Sequence, residues 1–282
     1  MTSIAVSLSA GVAAVMWGAS DFIAGILARR LPATAVLIWS KVFGMAPAAL
    51  VLVACGVPSM SGGRLALAAA AGLVGLPAMG LLYRAMRDGS LTVVAPVAAA
   101  AALVPVGWGL IQGERFGPAG AIGVAVALIG VTLASWPVGG GEHRRARPAT
   151  MLCALGAALG LGVYFVLLHE ASHTDPYQVA AVVRLFGGAG AMLLAGGLRP
   201  RPLPATVGPA LAMCGVGALD AAGDGAFVFA AHDGPLGPAA LLASMYPAVT
   251  VLLNQSVLRE RMHAVHLCGV LATLLAVACL AG

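Results

Sequence analysis

Apolar runs long enough to cross a bilayer follow one another along almost the whole chain, with only short breaks between them. An α-helix needs roughly 20 mainly apolar residues to span the hydrocarbon core, whereas a soluble domain alternates polar and apolar faces. The chain is 61% hydrophobic and only 9% charged, which no soluble domain of this length needs in order to bury its core. The sequence therefore predicts an all-α integral membrane protein.

The breaks divide the chain into ten predicted transmembrane helices. These helices cover residues 4–27, 35–55, 65–86, 90–111, 118–137, 149–168, 177–197, 206–231, 236–257 and 262–281. No Lys or Arg precedes the first of them, so we expect a transmembrane helix there and not a cleaved signal peptide. The longest connection is rich in Gly and Arg and is typical of a linker. We therefore predict two five-helix halves, residues 1–137 and 149–282, joined by the linker 138–148.

The arginines of the connections lie almost entirely on one side of the predicted membrane. Eleven follow odd-numbered helices, while only Arg64 and Arg115 lie in the other connections. Cytoplasmic loops of membrane proteins carry an excess of Lys and Arg, which predicts a cytoplasmic linker and both termini outside the cytoplasm. The protein is accordingly expected in the inner or plasma membrane. Its net charge of +5 is explained by anionic lipid headgroups beside these arginines, and no nucleic-acid partner is predicted.

Motifs of enzymes and of metal or cofactor sites are missing from the sequence. The five cysteines are scattered through apolar segments, and no C-x-x-C or H-E-x-x-H spacing is present. Walker, Rossmann and G-x-S-x-G contexts are also missing. We therefore predict no disulfide framework, no metal, no cofactor and no enzymatic activity.

Three short motifs recur at nearly constant offsets of 143, 145 and 146 residues. They are a basic residue followed by Phe-Gly (Lys41 to Gly44, Arg184 to Gly187), an Asp-Gly pair (Asp88, Asp233) and a Glu-Arg pair (Glu114, Glu260). A repeat of five helices crosses the membrane an odd number of times, so its second copy runs inverted. This internal symmetry is typical of secondary transporters.

The motifs also resemble those of the drug/metabolite transporter (DMT) superfamily, in its ten-helix form with two EamA-type halves. The resemblance is carried by Trp17-Gly-Ala-Ser-Asp21-Phe22, by the repeated basic residue with Phe-Gly, and by Ser244-Met-Tyr-Pro247-Ala-Val-Thr250 before Glu260. It covers nearly the whole chain. It implies a monomeric or homodimeric secondary transporter with a central cavity between its halves, often an exporter of amino acids, drugs or other small metabolites.

Apart from Arg84 at the end of the third predicted helix, which is counted with the connection that follows it, five charged residues lie inside predicted helices. An unpaired charge there costs on the order of 3 kcal/mol or more. Helix lengths place Asp21 and Lys41 at one depth near the cytoplasmic side, and Arg184 and Asp224 at one depth near the outer side. We therefore expect one ion pair in each half. Asp220 lies one turn deeper than Asp224 on the same helix face. Neither of these two acids matches a motif of the superfamily.

Asp220 is expected to be the proton-responsive member of the acidic pair, because Arg184 would neutralise Asp224 and leave Asp220 with weaker compensation. The alternative is that the charged pairs only hold the helices in register and that both acids contact water in a vestibule. Further polar and aromatic side chains are candidates for the cavity lining. They are Trp17, Tyr164, Tyr83, Ser244, Tyr246 and Asn254.

These observations favour a secondary-active transporter that moves a small metabolite, amino acid or drug-like compound and works as an exporter coupled to protons or by exchange. A facilitative, channel-like pore and an uptake carrier are the alternatives. An intramembrane enzyme is a more distant one, because no nucleophile has a base at a sensible spacing. The predicted partners are a small-molecule substrate, membrane lipid and, for a coupled transporter, protons.

Overall fold

The computed structural model describes residues 3–56, 60–88, 97–98, 100–113, 115, 117–134, 148–173, 175–198 and 207–258, and a few positions between 264 and 275. Throughout these residues the regular structure is helical. The helices are α1 (Ser3–Ala28), α2 (Ala33–Cys55), α3 (Gly62–Asp88), α4 (Leu103–Ile111), α5 (Pro118–Ala134), α6 (Pro148–Ala171), α7 (Pro176–Leu198), α8 (Val207–Asp233), α9 (Leu236–Ala243) and α10 (Tyr246–Leu258). A 3-10 turn, Ala100–Ala102, precedes α4.

Six helices of the described part, α1, α2, α3, α6, α7 and α8, are long and apolar enough to cross a membrane. The prediction of an all-α membrane protein is therefore confirmed, and these helices match the first to third and sixth to eighth predicted segments. The other apolar helices are shorter. Most of the predicted segment 262–281, the start of segment 90–111 and residues 138–147 of the linker lie outside the described residues.

The helix ends follow from the local sequence. Proline begins α5, α6 and α7, where its missing N–H would have no helical partner and its φ angle already suits a helix. Gly56 ends α2 with a φ of +86°, a conformation that favours glycine.

The predicted ninth helix is broken in the structure. A turn at Ser244 and Met245 separates α9 from α10, so residues 236–257 do not form one continuous helix. The physical reason is Pro247, which has no N–H to donate to the preceding turn and whose ring crowds the carbonyl four residues earlier. Short helices separated by a proline break are common where a transporter lines its cavity.

Two glycine pairs form close helix crossings at equivalent places in the two repeats. Gly44 of α2 meets Gly217 of α8, where a Cβ added to Gly217 would lie 2.5 Å from the Ser40 carbonyl oxygen. Gly187 of α7 meets Gly72 of α3, where a Cβ added to Gly187 would lie 3.2 Å from the Gly72 carbonyl oxygen. Small residues let membrane helices approach closely, so the repeated Phe-Gly motif has a packing role.

Large apolar side chains point away from the helix bundle. Leu50, Val53, Leu193 and Leu211 are all more than two-thirds exposed, as expected for a surface that lipid covers. Four charged side chains within the long helices are instead buried. Asp21, Arg184, Asp220 and Asp224 are each at most 5% exposed.

Candidate functional site

A central cavity of about 50 Å³ lies between the two repeats, with α1, α2 and α3 on one side and α6, α7, α8 and α10 on the other. All five charged residues predicted for the site reach it. The lining consists of Trp17, Asp21, Lys41, Gly75, Met79, Leu161, Tyr164, Phe165, Arg184, Asp220, Asp224 and Tyr246. The structure therefore brings the residues of both predicted pairs together around one cavity.

Asp220 is the carboxylate of the cavity with the most cationic partners. Its Oδ2 lies 3.1 Å from Lys41 Nζ and 3.2 Å from Arg184 Nη1. Ser20 Oγ donates a hydrogen bond of 2.7 Å to Asp220 Oδ1. Two cations and a hydroxyl thus surround it, and the prediction that Asp220 has the weaker compensation is wrong.

Asp224 shares Arg184 with Asp220. Arg184 Nε lies 2.5 Å from Asp224 Oδ2, so the predicted Arg184–Asp224 ion pair is confirmed. The two atoms meet as an ion pair by distance, although they are not aligned as a hydrogen bond. Trp17 Nε1 donates a hydrogen bond of 3.1 Å to Asp224 Oδ1. Arg184 therefore bridges two carboxylates that lie one turn apart on α8.

The local packing explains why α1 faces both acids of α8. The helices run antiparallel, so that Trp17 meets Asp224 and Ser20 meets Asp220. Gly223 leaves room for the indole, because a Cβ added there would lie 2.5 Å from Trp17 Cδ1.

Asp21 does not form the predicted ion pair with Lys41. Lys41 reaches across to Asp220 because α2 and α8 cross at Gly44 and Gly217, each three residues from the charged residue on its own helix. Asp21 is 3% exposed and lines the cavity, and within the described part of the chain it has no hydrogen bond or ion pair. The described lining therefore holds three carboxylates and two cations.

Aromatic rings form one wall of the site. Trp17 stacks on Phe165 with ring centroids 5.4 Å apart, and it meets Tyr246 edge-on at 6.4 Å. Phe227 lies 5.7 Å from Trp17 and 5.1 Å from Phe165. Among the predicted lining residues, Trp17, Tyr164 and Tyr246 therefore reach the cavity.

The remaining lining candidates have other places. Tyr83 and Ser244 are buried but do not line the cavity, and their hydroxyls have no hydrogen-bond partner among the described residues. Asn254 belongs to α10, but its side chain lies outside the described residues.

Sequence reasoning missed Ser20, Phe165 and Phe227. Ser20 could have been found from its position one turn from Trp17, on the face of α1 that also carries the tryptophan. Phe227 follows Asp224 by three residues and shares its face of α8. For Phe165, the sequence offers no indication of a site role beyond its position next to Tyr164.

Among the described residues, no group of three or more His, Cys, Asp or Glu side chains could hold a metal ion.

Comparison with known proteins matches this architecture. The sequence pattern of the EamA-like transporter family matches the chain twice, over residues 5–136 and 148–282. A solved crystal structure of another protein has the same fold, with a TM-score of 0.79 and 19% sequence identity over 99% of this chain and 96% of the other. No curated protein matches the sequence. Because the family pattern covers almost the whole length in two copies, the chain belongs to the EamA-like transporter family.

Proposed function

We propose that the protein is a secondary-active exporter that moves a small metabolite, amino acid or drug-like compound across the inner or plasma membrane. The single observation that carries this proposal is Asp21, a buried carboxylate in the central cavity that has no partner in the described part of the chain. Ionisable residues at membrane depth are costly, and they are typical of substrate and proton sites.

Asp21 replaces Asp220 as the proposed proton carrier. Asp220 is already neutralised by Lys41 and Arg184, so a proton gains little by binding to it. Asp21 forms no ion pair of its own, because the ammonium group of Lys41, although within electrostatic range of Asp21, contacts Asp220. A proton on the Asp21 carboxyl group therefore removes the excess negative charge of the site. Asp220 and Asp224 then act with Arg184 to hold α1, α7 and α8 in register.

The size of the cavity favours a carrier over an open pore. Pockets that enclose drug-sized ligands have volumes of about 300–1,000 Å³, whereas this cavity of about 50 Å³ has room for a few water molecules. A substrate therefore enters only when the lining helices separate. That requirement is the alternating access expected of a fold built from two repeats.

Flux measurements in proteoliposomes test this proposal. The purified protein is reconstituted in vesicles loaded with a mixture of amino acids and small metabolites, an acidic outside is imposed, and the released compounds are measured by mass spectrometry. We expect the release of particular compounds to saturate with concentration, to increase with the pH gradient and to stop when a protonophore collapses it. Flux that neither saturates nor responds to the gradient would indicate a pore.

Two variants isolate Asp21 in the same assay. Asp21→Asn should remove the dependence on the pH gradient. Asp88→Asn neutralises an exposed carboxylate at the end of α3, away from the cavity, and should leave the dependence intact. Transport by Asp21→Asn that follows the gradient as the wild type does would exclude Asp21 as the proton carrier.

A further inference from the structure

The central cavity has an excess of negative charge that its own side chains do not neutralise. Asp220 contacts Lys41 and Arg184, and Asp224 contacts Arg184 as well. Neither cation of the described lining forms an ion pair with Asp21, although Lys41 lies within electrostatic range of it. We propose that the cavity binds an organic monocation, an amine or quaternary ammonium group on an aromatic or apolar body, and that this cation replaces a proton on Asp21. The inference rests on the proposed transport function and names its substrate class.

The groups around Asp21 suit an ammonium head. The hydroxyl of Tyr246 lines the cavity within electrostatic range of Asp21 and is buried without a hydrogen-bond partner among the described residues. Hydroxyl and carboxylate oxygens both accept hydrogen bonds, and an ammonium group has only donors. An ammonium at Asp21 would therefore satisfy polar atoms that the chain leaves without partners.

The aromatic wall suits the body of such a cation. Trp17 lies one turn from Asp21 on α1, and Phe165 and Tyr246 pack against its ring. Cations are attracted to the faces of aromatic rings, most strongly to tryptophan, and the attraction increases where water is excluded. A positive group held by Asp21 therefore lies within one helical turn of aromatic surface.

An anionic or zwitterionic substrate fits less well. Its carboxylate would need a cation, and Lys41 and Arg184 are the two in the described lining. Both are within 3.2 Å of carboxylates of α8, so a substrate carboxylate would have to break a buried ion pair. A monocation needs no such rearrangement.

A second, smaller cavity adjoins Asp21 on the side of Met86 and Thr250. It has a volume of about 10 Å³, which corresponds to about one water molecule and is too small for an organic cation. A proton on Asp21 can therefore be exchanged with water at a place that the substrate does not occupy.

The exchange balances in atoms and charge. The protonated carboxyl group of Asp21 releases one H⁺ as the carboxylate receives one monocation, so the charge of the site is unchanged. Over the pH range in which Asp21 is protonated in the free protein, the apparent Kd should fall by about tenfold for each unit of increasing pH. One substrate cation and one proton would move in opposite directions without net charge transfer.

A matched set of probes tests the substrate class. Phenethylamine, phenylalanine and 3-phenylpropionate share an aromatic body and carry a positive, a zwitterionic and a negative charge. Binding to the purified full-length protein is measured by calorimetry in buffers of different ionisation enthalpy, which reports the protons released. We expect phenethylamine to bind best, with release of about one proton per molecule bound.

Three variants show whether Asp21 is responsible. Asp21→Asn should abolish the proton release and weaken phenethylamine binding at least about tenfold. Asp21→Glu keeps the carboxylate, so it should retain proton release even if its affinity changes, and Asp88→Asn should bind as the wild type does. Thermal unfolding of each variant, compared with the wild type, identifies any loss of binding that is due to misfolding.

The outcomes separate this inference from the proposed function. Tighter binding of phenylalanine or 3-phenylpropionate than of phenethylamine would overturn the substrate class, as would the absence of phenethylamine binding at millimolar concentration. Proton release that persists in Asp21→Asn would overturn the role of Asp21. In each case, flux that still follows a pH gradient in proteoliposomes would leave proton-coupled transport standing. Wild-type flux that ignores the gradient would instead overturn the proposed function.

Discussion

Arg184 is the residue on which the charged network depends, because it alone contacts both carboxylates of α8 in the described lining. The guanidinium group can do this because its several N–H groups point in fixed directions, so Nη1 reaches Asp220 while Nε reaches Asp224. Lys41 offers a single charge and contacts Asp220 only. The two basic residues occupy equivalent repeat positions but are not equivalent in the site.

Arg184→Met should destabilise the protein strongly, because it leaves Asp224 buried with no cation. Breaking a buried ion pair typically costs about 3–5 kcal/mol of the free energy of unfolding. Adding Asp224→Asn should recover part of this loss, and a double-mutant cycle in mixed micelles measures the coupling. Arg84→Met is the control, because Arg84 is 65% exposed in its pair with Asp88 and should change stability by less than about 1 kcal/mol. Strictly additive losses would show that Arg184 and Asp224 are not coupled.

Helix crossings decide which charged residues meet. The Gly44–Gly217 contact brings α2 and α8 so close that side chains three residues away on each helix, Lys41 and Asp220, form an ion pair. The equivalent contact of Gly187 with Gly72 brings α7 against α3. The same packing device therefore supports the site from both repeats.

Gly217→Ala should weaken the α2–α8 crossing. The added methyl group would lie 2.5 Å from the Ser40 carbonyl oxygen and 2.7 Å from the Gly44 nitrogen, and these backbone atoms cannot move without separating the helices. We expect a loss of about 1–3 kcal/mol in the free energy of unfolding. Gly215→Ala is the matched control on the same helix, because no atom lies within 4 Å of its added Cβ. Equal stability of the two variants in thermal unfolding would contradict this account of the crossing.

At the scale of the whole molecule, the two repeats share one cavity and each completes the other's charged groups. Lys41 of the first repeat forms an ion pair with Asp220 of the second, and Trp17 of the first repeat donates a hydrogen bond to Asp224 of the second. A half that folded alone in the membrane would therefore contain buried charged groups without partners.

The arginine distribution predicts the orientation of this assembly. Single cysteines placed at Arg30, after α1, and at His173, after α6, both lie at exposed positions. In a cysteine-free background, an impermeant thiol reagent added to intact cells should label the cysteine at position 173 and not the one at position 30. Permeabilised cells should show labelling at both positions. The reverse pattern would mean that the termini face the cytoplasm.

The sequence alone was sufficient for the helical class, the resemblance to the family and the identity of the buried charged residues. Each of these depends on local properties: the length of an apolar run, a short motif, or the high cost of a charge within such a run. The same reasoning predicts Asp21, Lys41, Arg184, Asp220 and Asp224 as site residues, and all five line the cavity. It also paired Arg184 with Asp224 correctly.

Only the tertiary structure decided which partner each charge has. Counting residues along a helix gives the depth of a side chain, but it gives neither the direction of the side chain around the helix axis nor the helix that it faces. Such counting therefore predicts a Lys41–Asp21 pair, whereas Lys41 contacts Asp220. The Gly44–Gly217 crossing determines which helix Lys41 faces. It could not be predicted from local sequence, because it joins two segments far apart in the chain. The crossing directs Lys41 to Asp220 and leaves Asp21 without an ion pair, so the proposed proton carrier is Asp21 of α1 and not Asp220 of α8.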